Sequence, residues 1–414
     1  MTITAEPLAR HGLSRFEYIG LASLVTATIA ISIDTILPAF EEIENEYSLG
    51  PTDLSVSLSI TAFFIALGLG NLMWGPLADR FGRKPVMFTS LGAIAIGAIF
   101  TSFAPTFELF LVGRVFWGVA AAGPRTIILA ITRDCYEGDA MSRIMSLTIA
   151  VFLIVPILAP ALGEGLLLLG SWKLTTLAAA VLALIGAVWF SRIEETLRSD
   201  DVLSLEFGRI ARAAKAVVST RSTLLFTIAA MMTYGSFFPW LGSSPTLIDA
   251  IYGFDAEFAL IFGGNALLMA LAILFVEKMV RRYSTFPVVQ IQVVSLVAVS
   301  LVYVVVALAA DGVPPFWLWF VLVTILLALN SSSSPLLQSL AMEPMGAIAG
   351  TAASVSGAII FVGGAILGSI IDRLIVDTVT PFGAGFAIYG LVIAFVILAA
   401  KKELSTAGNQ DSIL

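Results

Sequence analysis

The chain has 414 residues, of which 58% are hydrophobic and 12% charged, with a formal net charge of −7. About a quarter of the residues in a soluble globular chain are charged, so this composition lacks the polar surface of a water-soluble enzyme and is equally far from that of a disordered chain. The acidic balance argues against nucleic acid as a partner, and one cysteine (Cys135) and one histidine (His11) exclude an intramolecular disulfide and a histidine-based or multi-cysteine metal site.

Residues 1–15 are polar, and His11 within them reads as an ordinary solvated residue. The apolar run that follows is longer than the core of a signal peptide, so it reads as an uncleaved first span. Apolar runs lie at 16–38, 53–76, 86–104, 109–131, 144–169 and 174–190, and again at 222–248, 258–277, 287–309, 316–342, 349–375 and 382–400. A bilayer-crossing helix takes about 20 apolar residues, and none of these runs alternates with the period of two that a membrane barrel strand needs. The predicted fold is therefore an all-α integral membrane protein. It has an N-terminal six-helix bundle (1–190), a cytoplasmic linker (191–221), a C-terminal six-helix bundle (222–400) and a tail (401–414).

With the N-terminus inside, eighteen of the 22 basic residues fall on inside segments, against Lys173 and Arg373 outside. By the positive-inside rule both termini are expected in the cytoplasm. The acidic segment 39–53 reads as a solvated connection. Within the linker, LEFGRIARAAKAVVS alternates apolar and basic residues at helical spacing and reads as an amphipathic helix on the inner leaflet.

Charge inside a span costs about 2.5–3.5 kcal/mol at a helix centre, so each case requires a partner or water. Asp34 near the end of span one and Arg114 near the start of span four fall at matched depth, which predicts that they pair or share a cavity. Glu164 in span five falls at a similar depth and reads equally well as a third member of that cluster or as a solvated vestibule residue. Arg133 and Asp134 at the end of span four read as a cytoplasmic charge cluster, and Asp372–Arg373 as an interfacial anchor. Trp117, Tyr234, Phe237, Trp240, Asn265, Asn330 and Gln338 are candidate cavity residues. Asn330 stands beside four serines and Pro335, which is expected to break the helix and free backbone groups. Serine runs also serve as small-residue packing faces.

Between spans two and three stands GPLADRFGRKP, residues 75–85. Gly75 and Gly82 allow close approach and a tight turn; Asp79 is placed to cap a helix N-terminus or to pair with an arginine; Arg80, Arg83 and Lys84 hold the loop inside. This string resembles the signature loop of the major facilitator superfamily. GRVFWGVAAAG (113–123) is similar to the family's R-x-x-x-G motif at Arg114 and Gly118, and PILAPALGEGL (156–166) to the fifth-helix motif of its exporters. With SIDTILPAF (32–40), GSSPTLIDAIYGF (242–254) and EPMGAIAGTAAS (343–354), the chain resembles the Bcr/CflA branch of drug:proton antiporters over nearly its whole length. That branch usually has an aromatic residue where Ile36 stands and glycine where Glu164 stands.

The resemblance implies two six-helix bundles related by a pseudo-two-fold axis, with a substrate cavity between them. The expected activity is proton-coupled export of small amphipathic organic compounds by alternating access, in a bacterial inner membrane, by a monomer. Asp34 would carry the proton, with Arg114 and Glu164 in the coupling group. Burial and Arg114 act on Asp34 in opposite senses, and rocking between bundles changes both. No cofactor is expected: no P-loop or catalytic triad is present, and the proton gradient supplies the energy. The alternatives are a dedicated metabolite exporter or importer of the same fold and, from another class, a receptor-like protein without flux.

Overall fold

A computed structural model describes residues 11–50, 55–198, 200 and 207–411. Among them there is no strand, and twelve helices are long and apolar enough to cross a membrane. Large apolar side chains on their outer faces, such as Leu260 (77% exposed) and Phe395 (73%), would be a liability in water and suit lipid contact.

The chain divides into two compact units. The first comprises Met1–Asp53 and Leu69–Glu206; the second comprises Leu54–Gly68 and Phe207–Leu414. The division therefore differs from a simple cut in the linker: it falls inside one helix, whose first part groups with the C-terminal half of the chain.

The first unit holds α1 (Arg15–Asp34), α2 (Phe40–Tyr47), the second part of α3 (Leu58–Phe81), α4 (Arg83–Ser102), α5 (Phe107–Cys135), α6 (Gly138–Leu167) and α7 (Lys173–Phe190). Ser14 caps α1 by accepting from the Glu17 N–H, and Thr106 caps α5 by accepting from the Leu109 N–H. The Ser90 hydroxyl on α4 donates to the Ala120 carbonyl, and the Trp74 indole on α3 to the Val119 carbonyl, so both helices are tied to α5 by polar contacts that a lipid-embedded bundle must satisfy internally.

The acidic segment 39–53 is not simply a solvated connection. Its residues 40–47 form α2, which buries Phe40 and Ile43, and Glu46 accepts from the Trp172 indole at 2.5 Å and pairs with Lys173 at 2.9 Å. His11 also departs from expectation: it is fully buried, stacked on Tyr18 with centroids 4.3 Å apart, and bonded to the Tyr136 hydroxyl at 2.7 Å. Residues 11–14 thus dock against the ends of α1 and α5.

The second unit holds the first part of α3, then α8 (Phe207–Ser219), α9 (Arg221–Pro245), α10 (Phe258–Tyr283), α11 (Thr285–Ala309), α12 (Phe316–Met342), α13 (Ala349–Asp372) and α14 (Thr380–Asp411). Its core joins Phe226 and Ala230 of α9, Val293 of α11, Leu337 of α12, Ile360 of α13 and Ile393 of α14. The amphipathic helix α8 turns Ala213 and Val217 inward against α9 and α13 and leaves Arg212 and Lys215 exposed. Helix α12 runs on through Pro335, contrary to the expected break.

Candidate functional site

Helix α1 ends at Asp34, followed by a short 3-10 turn at Leu37–Ala39 with Pro38 in its first positions. Proline has no N–H to continue an α-helix and suits the start of a new turn. Three helices of the first unit converge on this break. From α5, the fully buried Arg114 donates to the Ser32 carbonyl at 2.8 Å, its guanidinium 4.9 Å from the centre of the Trp117 ring. From α7, the Thr175 carbonyl accepts from the Thr35 hydroxyl at 3.2 Å. From α6, Gly163 packs against the Thr35 carbonyl so closely that a Cβ there would overlap it.

Asp34 is 4% exposed. Among the described residues its carboxylate forms neither a hydrogen bond nor an ion pair. Arg114 therefore reaches the same turn of α1 but meets a backbone carbonyl, not the expected carboxylate. Glu164, next to Gly163, is half-buried beside the same segment. Asp34, Arg114 and Glu164 thus lie around residues 32–35.

At the other end of the unit, GPLADRFGRKP is mostly helix. Helix α3 runs to Phe81 and α4 begins at Arg83, with Gly82 alone between them at φ +100°. The turn stacks Asp79 and Arg83, whose guanidinium bonds Asp79 at 2.5 Å and Asp134 at 3.1 Å. Asp79 thus takes the arginine-pairing role. The cap on α4 comes from Glu195, a residue the sequence reading did not single out. Its carboxylate accepts from the backbone N–H groups of Arg83 and Lys84 at 2.9 Å and of Thr196 and Leu197 at 3.0 Å. A Cβ at Gly82 would come within 2.6 Å of Glu195 Oε2, which explains the glycine. Gly75 is different: a Cβ there would meet only Thr126, at an ordinary 3.9 Å, so close approach does not require it. Asp134 also accepts from Thr196, whereas Arg80 and Arg133 are exposed.

The candidate cavity residues are placed unequally. Trp117, Trp240, Asn265 and Asn330 are buried. Trp240 stacks on Phe262, and the Asn265 amide is consumed by the Ile261 carbonyl and the Thr324 hydroxyl. Tyr234, Phe237 and Gln338 are half-buried. Asn330 donates to the Thr233 carbonyl at 3.0 Å, while its amide oxygen is buried without a protein partner. Gln292 on α11 shows the same pattern: it donates to Ser332 at 2.6 Å and leaves its amide oxygen unmatched. The sequence reading passed over Gln292, although an amide inside the apolar run VVQIQVV is itself a signal. Ser332 and Ser333 bond back to their own helix carbonyls.

These features define a multi-pass helical membrane protein with a buried carboxylate and a buried arginine at a broken first helix. Residues 22–368 match the model of the Major Facilitator Superfamily, and the chain belongs to that family. It is 26% identical over 393 residues to a bicyclomycin resistance protein homolog of Haemophilus influenzae, covering 94% of this chain and 98% of that one. It is 25% identical over 382 residues to the multidrug resistance protein MdtL of a Shewanella species, covering 92% and 94%. Among solved structures, the fold matches a D-xylose–proton symporter with a TM-score of 0.73 at 12% identity, covering 93% and 97%. Members of this family handle small-molecule substrates.

Proposed function

We propose that the chain is a proton-coupled exporter of small amphipathic organic compounds in a bacterial cytoplasmic membrane, working by alternating access as a monomer with both termini in the cytoplasm. The observation that carries this reading is Asp34: a carboxylate almost without exposure, lacking a partner among the described residues, at a helix break that also receives Arg114. In this reading Asp34 binds a proton from the outer side and gives it up to the inner side, and the proton gradient, not a cofactor, supplies the energy. Arg114 fixes the geometry of the break and supplies the positive field that a deprotonated Asp34 requires. Tyr234, Phe237 and Gln338, half-buried in the second unit, offer aromatic and polar surface to the compound. The relatives named for drug resistance support the substrate class.

Glu164 and Ile36, which stand where the Bcr/CflA branch usually has glycine and an aromatic residue, favour a second reading in which the carrier is dedicated to one cationic metabolite. The test is a panel of cationic, neutral and anionic compounds, scored first by thermal stabilisation of the purified protein. A ligand at 100 times its Kd adds about 2.7 kcal/mol. The panel is scored again by accumulation in efflux-deficient bacteria expressing the protein. Lower accumulation of several amphipathic compounds is expected. Stabilisation by a single cation with no change in drug accumulation would favour the dedicated carrier.

A further inference from the structure

Position alone assigns Asp372 to an anchoring role with Arg373, yet its carboxylate is held at both oxygens. Oδ2 accepts from the Ser57 hydroxyl at 2.5 Å and Oδ1 from the Ser243 hydroxyl. Ser57 immediately precedes α3, Ser243 lies on α9, and Asp372 ends α13, so one carboxylate joins three elements of the second unit. Gly242 leaves the room for this, since a Cβ there would sit 2.7 Å from Asp372 Oδ1. Further along α3, Phe64 stacks on Phe238 of α9 at 4.1 Å and lies 6.1 Å from Phe361 of α13. The first part of α3 is therefore held in the second unit by an apolar stack and one acidic clip, while from Leu69 onward the same helix belongs to the first unit.

We propose that Asp372 is a proton-binding clip: ionised, it fastens the first part of α3 to α9 and α13, and protonated, it releases it. A carboxylate has only acceptors, so both serines donate to it. A proton on either oxygen turns that oxygen into a donor, and the serine facing it must rotate its own hydrogen away. The bond that remains loses its charge assistance, which is worth about half its strength. The titratable and charged groups on the adjoining elements are few. Helix α13 is followed by Arg373, and Asp377 lies in the connection to α14. Helix α9 carries Tyr234, with Arg221 at its opposite end, and is followed by Asp249; α14 carries Tyr389 and, beyond Ala400, Lys401, Lys402, Glu403 and Asp411; neither α12 nor α3 before Asp79 carries any. Arg212 and Lys215 of α8, and Glu343 before α13, belong to the other end of that helix. Asp372 is thus the carboxylate that meets α3.

The test is hydrogen–deuterium exchange of the segment 55–68 in the full-length protein in nanodiscs, from pH 5.5 to 8.5, for wild type, Asp372→Asn and Ser57→Ala. Comparing variants at each pH cancels the chemical exchange rate. No substrate is present, so the result is independent of the transport reading. Wild-type protection should fall about tenfold from the alkaline to the acid end, the factor that a hydrogen bond to a charged acceptor supplies. Asp372→Asn should be flat with pH, and Ser57→Ala should begin less protected at alkaline pH. A flat wild-type profile, or an Asp372→Asn profile that follows the wild-type slope, overturns the proposal. If Asp372→Asn loosens α11 as well, Ser57→Ala decides: wild-type protection at pH 8.5 would then contradict the clip.

Discussion

His11 sits where only a neutral ring fits. Its Nδ1 accepts from the Leu13 N–H at 3.2 Å, so the proton lies on Nε2 and is donated to the Tyr136 hydroxyl. Burial pushes its pKa down to about 4 from the ordinary 6.5. The unfolded chain therefore binds this proton first: the contribution is complete above pH 6.5, is lost as pH falls from 6.5 toward 4, and changes no further below that. A loss of about 3 kcal/mol is expected over that window. Thermal unfolding in detergent should show the decline in wild type and a shallower one in His11→Phe, which keeps the stack on Tyr18 and has no proton to gain. Glu164 is a second residue whose role is open to direct measurement. If it shares the field of Asp34 and Arg114, or meets a cationic substrate, Glu164→Gly should shift the pH dependence of transport or the compound range between pH 5 and 9. Superimposable profiles for every compound would return it to a solvated residue.

At the scale of the element, the α3–α4 break is one glycine whose geometry rests on a distant carboxylate. Glu195→Gln should lower stability by about 1–2 kcal/mol, because an amide group presents donors to backbone N–H groups that need acceptors. A fall of a few degrees in the thermal midpoint checks this, and no fall would mean that the cap is dispensable. Asp79→Ala leaves Arg83 its second partner, Asp134. Because Asp79 stands in the turn between α3 and α4 and not among the candidate cavity residues, the change should slow exchange transport more than it weakens ligand binding; the reverse pattern in a binding titration would contradict this placement.

The sequence shows where the apolar runs begin and end but not where the helices do. Helix α3 continues through Ala78–Phe81, and α5 through Arg133–Cys135, because charged residues leave the apolar run without ending the backbone hydrogen bonding. Glu195 is one acid among several in a polar stretch, and its function as a cap exists only once the chain after α7 returns to Gly82. His11 was hidden for the same reason, since polar neighbours in sequence say nothing of Tyr18 and Tyr136 closing over it.

For the whole molecule, the twelve runs and the motif strings were sufficient to place the chain in its family, because a bilayer leaves few solutions for so apolar a sequence. That Arg114 and Glu164 lie along their helices level with residues 32–35 of α1 was legible as well, since helix rise converts sequence position into position along a helix. Their contacts were not, because depth does not specify which face of a helix meets which neighbour. The central claim is that Asp34 exchanges protons during transport. The most direct test is the internal pH of proteoliposomes containing a trapped pH dye, into which a stabilising compound is admitted down its own gradient, with wild type and Asp34→Asn compared at equal reconstitution and equal thermal midpoint. Wild type should move protons against the compound in a compound-dependent manner, and Asp34→Asn should lose that movement by tenfold or more while still binding the compound. Proton movement in Asp34→Asn at the wild-type rate would contradict the claim.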